Sequence, residues 1–195
     1  MIFGWVLCTT EGTRLVKGHG SCSGRPNSLR GEACGMLAAT RFTTILKHHL
    51  ECTFDSTVLS YQSDNLELIK RQQNHLSYTY PYPNTMLTAE FDLTKMIHML
   101  HRDHALLSEF CHAKGHQDRH KAYASLDLCA QLNVDANQLA TAYYDHPVAY
   151  FDERVLSLPS CPAQLSIAGV DVTNNYKTLL VQASTKPRYL EHLQN

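Results

Sequence analysis

The chain has 195 residues, of which 44% are hydrophobic and 18% are charged, and its formal net charge is −1. This balance predicts a soluble globular protein and excludes a largely disordered chain. No apolar run reaches the roughly 18 residues of a membrane span. A nearly neutral chain is a poor electrostatic match for a phosphate backbone unless its basic residues gather on one face.

The cellular compartment is predicted from the first residues and the cysteines. Met1–Cys8 is apolar but is too short for a signal sequence and lacks a basic leader, so we interpret it as a strand. The seven cysteines are irregularly spaced and form no Cys-x-x-Cys pair. They predict reduced thiols and an intracellular location, in the cytoplasm or the nucleus.

The first elements are two strands and a long helix. Phe3–Thr9 and Arg14–Gly20 are predicted to pair as a hairpin around a turn at Glu11-Gly12. Ser28 is the predicted N-cap of a helix that ends near His49. Helical spacing predicts its buried residues to be Leu29, Cys34, Leu37, Ala38, Phe42, Ile45 and Leu46.

A second strand-to-helix unit follows. Thr57–Tyr61 is rich in β-forming residues, and Ser63-Asp64 is predicted to cap a helix that carries Leu66, Leu68 and Ile69. Ser77–Thr85 is a predicted loop because its two prolines lack backbone donors. The tyrosines of this loop could stack on nucleotides, although ordinary loop packing is the commoner explanation.

The remaining pattern predicts a helix from near Thr88, a strand over Leu106–His112, a loop over Lys114–Asp118 and a helix over Ala122–Tyr144. The predicted buried faces of the two helices are Phe91, Met96, Ile97, Leu100 and His104 in the first, and Leu126, Cys129, Ala130, Leu132, Ala136, Leu139 and Ala140 in the second. His98, His101 and His104 share one helical face, which indicates a polar or half-buried stripe.

After Pro147 a smaller piece is predicted, with a hairpin over Gln164–Val172 that turns at Ala168-Gly169. One or two helices should follow from Asn174. The chain is therefore divided into residues 1–145 and a C-terminal α+β extension at 146–195. Because strands alternate with helices in the larger part, we expect an α/β architecture with some parallel pairing.

Five motifs occur in an order that suggests a family: Phe3–Leu7, Ser28–Ala33, Tyr61–Asn65, His112–Asp118 and Gln131–Ala140. Together they resemble the type 1 ribonuclease H domain of retroelement reverse transcriptase polyproteins, over Phe3 to Tyr144. The tail, with Pro162–Leu165 and Tyr189–Leu193, is similar to the segment that follows this domain in some of those polyproteins.

The resemblance implies a mixed sheet flanked by helices, and hydrolysis of the RNA strand of RNA–DNA hybrids by two divalent ions, Mg²⁺ or Mn²⁺. It implies an RNA–DNA hybrid as binding partner and a reverse transcriptase domain upstream in the parent polyprotein. By resemblance, Glu32 and Asp64 are metal ligands, and His116 assists proton transfer or product release. Lys114, Arg119 and Lys121 are candidate contacts to phosphates.

The chain departs from the family pattern at two of four carboxylates. The family carries an aspartate on a central first strand, which precedes the strand that Phe3-Gly4 resembles. In this chain Met1 lies only two residues before Phe3. Asn137 stands at the position of the fourth carboxylate. Asp135 lies about 200° around the helix and cannot replace it. We therefore predict weakened metal binding and little or no nuclease activity.

Two other functions remain open at this point. The first is a non-catalytic nucleic-acid-binding or interaction module that kept the fold. The second is a zinc module built on the histidine-rich region, with Cys111, His112, His116 and His120 as candidate ligands, although their spacing matches no common paired-ligand motif.

Overall fold

The computed structural model describes residues 1–22, 24–50, 57–74, 87–145, 166–167 and 170–194. These residues form a mixed α/β structure. The strands are β1 (Ile2–Cys8), β2 (Arg14–Ser21), β3 (Leu59–Ser63), β4 (Ser108–His112), β5 (Ser166–Ile167) and β6 (Val170–Asp171). The α-helices are α1 (Ser28–Leu50), α2 (Leu66–Gln73), α3 (Phe91–Asp103), α4 (Leu128–Asp145) and α5 (Tyr176–Gln194).

The first two strands form the predicted antiparallel hairpin, in which Phe3 lies opposite Gly20 and Trp5 lies opposite Gly18. The turn contains Gly12, whose φ of 91° lies in the left-handed region that glycine adopts readily. The predicted limits of both strands are confirmed to within one residue at each end.

Helix α1 has the predicted extent, but its cap was assigned one residue too late. Asn27 is the capping side chain, because its Oδ1 accepts a hydrogen bond of 2.9 Å from the Arg30 N–H. The prediction that Ile45 is buried is wrong, since this residue is 57% exposed near the C-terminal end of the helix.

Strands β3 and β4 pair in parallel, from Leu59 opposite Ser108 to Ser63 opposite His112. The parallel pairing is confirmed, although β3 begins two residues later than predicted. Asn65 caps α2 by accepting a hydrogen bond from the Leu68 N–H, so the prediction of Ser63-Asp64 as the cap is wrong. The main core fills the space between these strands and α1, α2 and α3, and it includes Leu37, Tyr61, Leu68, Ile97 and Phe110.

Two predicted helix boundaries are also corrected. Helix α3 begins at Phe91, and its predicted core residue His104 is exposed just beyond the last turn. Helix α4 begins at Leu128 and not at Ala122, because the Asp127 carboxylate accepts from the Ala130 N–H and sets the start there. The part of the predicted helix that precedes Leu128 contains a 3₁₀ turn at Tyr123–Ser125.

The C-terminal segment has the predicted short hairpin, β5 with β6, and a single helix, α5. Its predicted turn at Ala168-Gly169 and the loop at Ser77–Thr85 lie outside the described residues. No helix in the described part of the chain combines the length and apolarity needed to cross a membrane.

A buried carboxylate connects this C-terminal segment to the larger part of the chain. Glu90 precedes α3 and accepts hydrogen bonds from Arg30 at 2.6 Å, Asn27 at 2.7 Å and Asn174 at 2.8 Å. Its backbone N–H also donates to the carbonyl oxygen of Thr173 at 2.9 Å. One residue therefore joins α1, α3 and the residues that follow β6.

The strands of the described residues do not form one continuous sheet. They form three separate two-stranded sheets, and β1 and β3 do not pair with each other. A groove of about 1080 Å³ lies along both strands. Helix α4 packs on β1 so closely that a Cβ at Gly4 would overlap the carbonyl oxygen of Ala136, which explains the glycine in this strand.

Candidate active site

Two carboxylates from different elements meet at one end of this groove. Glu32 is in the first turns of α1, and Asp64 follows directly after β3; both line the groove. Ser63 links the two elements, since its hydroxyl donates a hydrogen bond of 3.0 Å to Glu32 Oε2. The structure thus brings together the two residues that were predicted as metal ligands.

The electrostatics of Glu32 reflect this arrangement. Burial raises the pKa of the Glu32 carboxyl, and the negative charge of Asp64 raises it further. The hydrogen bond from Ser63 lowers the pKa and only partly offsets the other two effects. The site therefore disfavours two negative charges at once, which is the condition that a bound cation relieves.

Two asparagines of α4 continue the polar end of the groove. Asn133 donates a hydrogen bond of 3.2 Å to Asp64 Oδ2, and Asn137 donates one of 3.1 Å to Asn133 Oδ1. Asn137 is exposed and is connected to Asp64 through Asn133. It therefore lies near the carboxylates, where it supplies an amide without negative charge.

The sequence did not single out Asn133 or Ser63 as site residues. The available signals were the four-residue spacing from Asn133 to Asn137, which places both on one helix face, and the position of Ser63 directly before Asp64. Asp135 faces elsewhere, as predicted from its angle on the helix: it forms an ion pair of 3.0 Å with Arg14 of β2.

The loop that carries His116 lies against Asp64. His112 hydrogen-bonds through Nε2 to the Asp64 carbonyl oxygen at 3.1 Å, and a Cβ at Gly115 would overlap Asp64 Oδ2. Gly115 therefore permits a close approach of the loop backbone to the carboxylate. His116 follows it, is exposed, and has a left-handed backbone with a φ of 54°. The three candidate phosphate contacts of this region are also exposed: Lys114, Arg119 and Lys121.

Metal-ligating side chains are not grouped in the part of the chain that the structure describes. Among the residues that the structure describes, no group of three or more His, Cys, Asp or Glu side chains is placed to hold a metal ion. Glu32 and Asp64 offer hard oxygen donors for one divalent ion, but there is no third carboxylate beside them in the described part. The candidate zinc ligands are likewise not assembled into a site, and all four are exposed: Cys111, His112, His116 and His120.

Comparisons with protein families, with curated proteins and with solved structures give no match for this chain.

Removing the charge of Glu32 should stabilise the fold at neutral pH. The pKa of the Glu32 carboxyl is higher in the folded chain than in the unfolded chain. Such a carboxyl stabilises the fold at pH values below its unfolded pKa, and this stabilisation is lost as the pH rises through its folded pKa. We expect Glu32→Gln to raise the free energy of unfolding at pH 7 by about 1 kcal/mol, or about 2–4 °C in Tm. The gain should shrink as the pH approaches 4.

Thermal melts across this pH range test the prediction. Glu67→Gln is the matched control, because Glu67 is an exposed carboxylate in an i,i+4 ion pair with Arg71. Its loss should lower the stability slightly, by about 0.5 kcal/mol or less. A Glu32→Gln variant that is less stable than the wild type at pH 7 would contradict the electrostatic picture of the site.

Proposed function

We propose that this chain is a ribonuclease H-like domain of retroelement origin, which binds RNA–DNA hybrids and has lost most or all of the ancestral hydrolysis of the RNA strand. The observation that carries the proposal is the meeting of Glu32 and Asp64 at the end of the groove. They lie on α1 and just after β3, 32 positions apart in the sequence, and the resemblance assigns metal binding to both.

The residues present fit one divalent ion but not the pair that two-metal hydrolysis requires. Glu32 and Asp64 would hold Mg²⁺ or Mn²⁺, whose hard character favours carboxylate oxygens. Such an ion polarises a phosphate oxygen or activates a water molecule. The position of the fourth carboxylate is occupied by Asn137, which is exposed and hydrogen-bonded to Asn133. A second ion would therefore lack a charged ligand.

Hybrid binding would depend on the exposed cations beside the carboxylates. Lys114, Arg119 and Lys121 lie in the loop region that follows β4, within a few residues of the backbone that contacts Asp64. Lysine and arginine bind phosphate groups by charge without reading base sequence. Preference for a hybrid over duplex DNA would come from 2′-hydroxyl contacts and the shape of the minor groove. The upstream partner in the parent polyprotein would be a reverse transcriptase domain.

Binding to a fluorescently labelled RNA–DNA hybrid, measured by anisotropy over a series of salt concentrations, tests this proposal. The hybrid should bind more tightly than duplex DNA of the same sequence. Replacing Lys114, Arg119 and Lys121 with alanine should reduce the slope of log affinity against log salt by about 2–3, at about 0.9 per lost phosphate contact.

The matched control removes three exposed lysines elsewhere, with Lys17, Lys70 and Lys177 changed to alanine. It alters the net charge equally and should leave the slope nearly unchanged. Equal effects of the two triple variants, or equal affinity for hybrid and duplex DNA, would show that binding is a general charge effect and would refute the proposal.

A further inference from the structure

Two cysteines lie side by side between the end of β2 and the start of α1. Cys22 directly follows β2, is half-buried, and packs against the main core. Cys34 is in the second turn of α1, is 7% exposed, and belongs to that core. The Cys34 thiol donates a hydrogen bond to the sulfur of Cys22. Both residues are free cysteines in the structure, so the two thiols meet in the reduced state.

The path of the backbone explains why these thiols meet. The Cys22 N–H donates a hydrogen bond of 2.9 Å to the carbonyl oxygen of Met1, which continues the pairing of β2 with β1 by one residue. The chain then passes α1 so closely that a Cβ at Gly24 would overlap the guanidinium of Arg30. Arg30 and Cys34 are four positions apart and therefore share one face of the helix. The chain that follows β2 thus runs along the face of α1 that carries Cys34.

The surroundings make the two thiols unequal. The hydrogen bond from Cys34 holds the pKa of the Cys22 thiol below its usual value; burial acts against this effect, and the charge of Arg30 adds to it. The same hydrogen bond, together with burial, raises the pKa of the Cys34 thiol. Cys22 is therefore the better thiolate, and it is also the more exposed of the two. A thiolate of this kind beside a second thiol is typical of redox-sensing cysteines, whereas a cysteine buried alone is inert.

We propose that Cys22 and Cys34 form a reversible disulfide when the chain meets a hydroperoxide. The Cys22 sulfur attacks one peroxide oxygen, the O–O bond breaks, and the other oxygen leaves as an alcohol or water with the thiol proton. This step gives a sulfenic acid at Cys22. The Cys34 sulfur then attacks the Cys22 sulfur, the S–S bond forms, the S–O bond breaks, and water leaves with the Cys34 proton. The two thiols lose two electrons, and the hydroperoxide gains them.

The chemistry of the pair favours the second step and the return. Conversion of Cys22 to a neutral sulfenic acid removes the negative charge that helps to raise the pKa of Cys34. A dithiol restores both thiols by exchange through a mixed disulfide. Disulfides of reducing compartments are mostly transient bonds of this type. The bond would join the end of β2 to the turns of α1 that carry Glu32, and the inference does not depend on nucleic-acid binding.

Disulfide mapping of the intact chain tests the proposal. The reduced chain, with all seven cysteines, is treated with hydrogen peroxide, alkylated, digested without reductant and analysed by mass spectrometry. We expect Cys22–Cys34 to be the main linkage and to disappear on addition of a dithiol. In urea the same treatment should spread the linkages over several pairs and lower the share of Cys22–Cys34 several-fold. Sequence separation alone does not select this pair, because Cys8 and Cys22 are similarly spaced and loop closure depends only weakly on length.

The order of the two steps is tested by trapping the sulfenic acid with dimedone. In Cys34→Ala the second step is lost, so the adduct at Cys22 should rise several-fold over that in the wild type. Cys22→Ala should remove both the adduct and the linkage. Cys111→Ala is the matched control, because Cys111 is an exposed free cysteine of β4, and this change should leave the linkage as in the wild type.

Two results would overturn the inference, and both come from the wild type, so neither depends on the folding of a variant. The first is a chain, folded by circular dichroism, in which peroxide leaves Cys22 and Cys34 unlinked or joins either of them to another cysteine. The second is an equal share of the Cys22–Cys34 linkage in the native chain and in urea, which would show that the fold does not select this pair.

Discussion

Replacing Glu90 with alanine is expected to lower the free energy of unfolding by roughly 3–5 kcal/mol, because it leaves a buried guanidinium without its main counter-ion. Glu90 is fully buried, with an exposed fraction of 0%, and its Oε2 lies 2.6 Å from Arg30 Nη1. The substitution also removes the acceptor for the side-chain amides of Asn27 and Asn174. Domains of this size have free energies of unfolding of about 5–15 kcal/mol, so the expected loss is a large fraction of the total stability.

Urea unfolding followed by circular dichroism measures this loss. Asp92→Asn is the matched control, because Asp92 is the second carboxylate beside Arg30, at 3.1 Å and 18% exposed. Its loss should cost clearly less, since Glu90 still neutralises the guanidinium. A double variant with Arg30→Met and Glu90→Leu should recover much of the stability by removing both charges together. A cost below about 1 kcal/mol for Glu90→Ala would show that this ion pair contributes little.

Local chemistry in the sequence was sufficient to predict most elements of the first half. The hairpin of β1 and β2 follows from β-branched and aromatic residues and a turn at Glu11-Gly12, and the long helix α1 follows from apolar residues at helical spacing. Neighbouring capping residues were harder to rank. Asn27 and Ser28 are both good N-caps, and only the position of the Asn27 side-chain oxygen relative to the Arg30 N–H decides between them.

The start of α4 was missed because two local signals compete. Ala122 and several residues after it are compatible with a helix, and the apolar spacing already includes Leu126. The Asp127 carboxylate, however, accepts a hydrogen bond of 2.8 Å from the Ala130 N–H and fixes the start at Leu128. The capping hydrogen bond therefore decides the boundary, and the apolar pattern alone places it too early.

Features that depend on distant residues were not predictable. The cluster around Glu90 joins Asn27, Arg30 and Asn174, which lie at least 60 positions from it in the sequence. No local pattern indicates that these side chains meet. Only the packing of α1, α3 and the C-terminal segment brings them to one point.

Only some residues of the candidate site could be predicted from the sequence. Glu32 and Asp64 were predicted from the resemblance, and they do lie at one end of a common groove. Ser63 and Asn133 were not predicted, because their roles depend on two hydrogen bonds between elements, at 3.0 Å and 3.2 Å, that only the packed structure reveals.

Hydrolysis of an RNA–DNA hybrid should be absent or close to background, which is the largest functional effect that we predict. Among the described residues the site holds two carboxylates, Glu32 and Asp64, and the neutral Asn137 stands where the resemblance implies a further one. Two-metal hydrolysis needs ligands for both ions, because one ion activates the attacking water and the other stabilises the leaving oxygen. With donors for a single ion, half of that arrangement is missing.

The most direct test is cleavage of a hybrid labelled on its RNA strand, in magnesium and in manganese, by a chain whose folding is verified by circular dichroism. Glu32→Gln, prepared identically, controls for contaminating nuclease. We predict that the wild type and Glu32→Gln release product at the same background rate while both still bind the hybrid. Cleavage by the wild type that disappears in Glu32→Gln would show that the remaining ligands suffice, and it would contradict the loss of hydrolysis proposed for this chain.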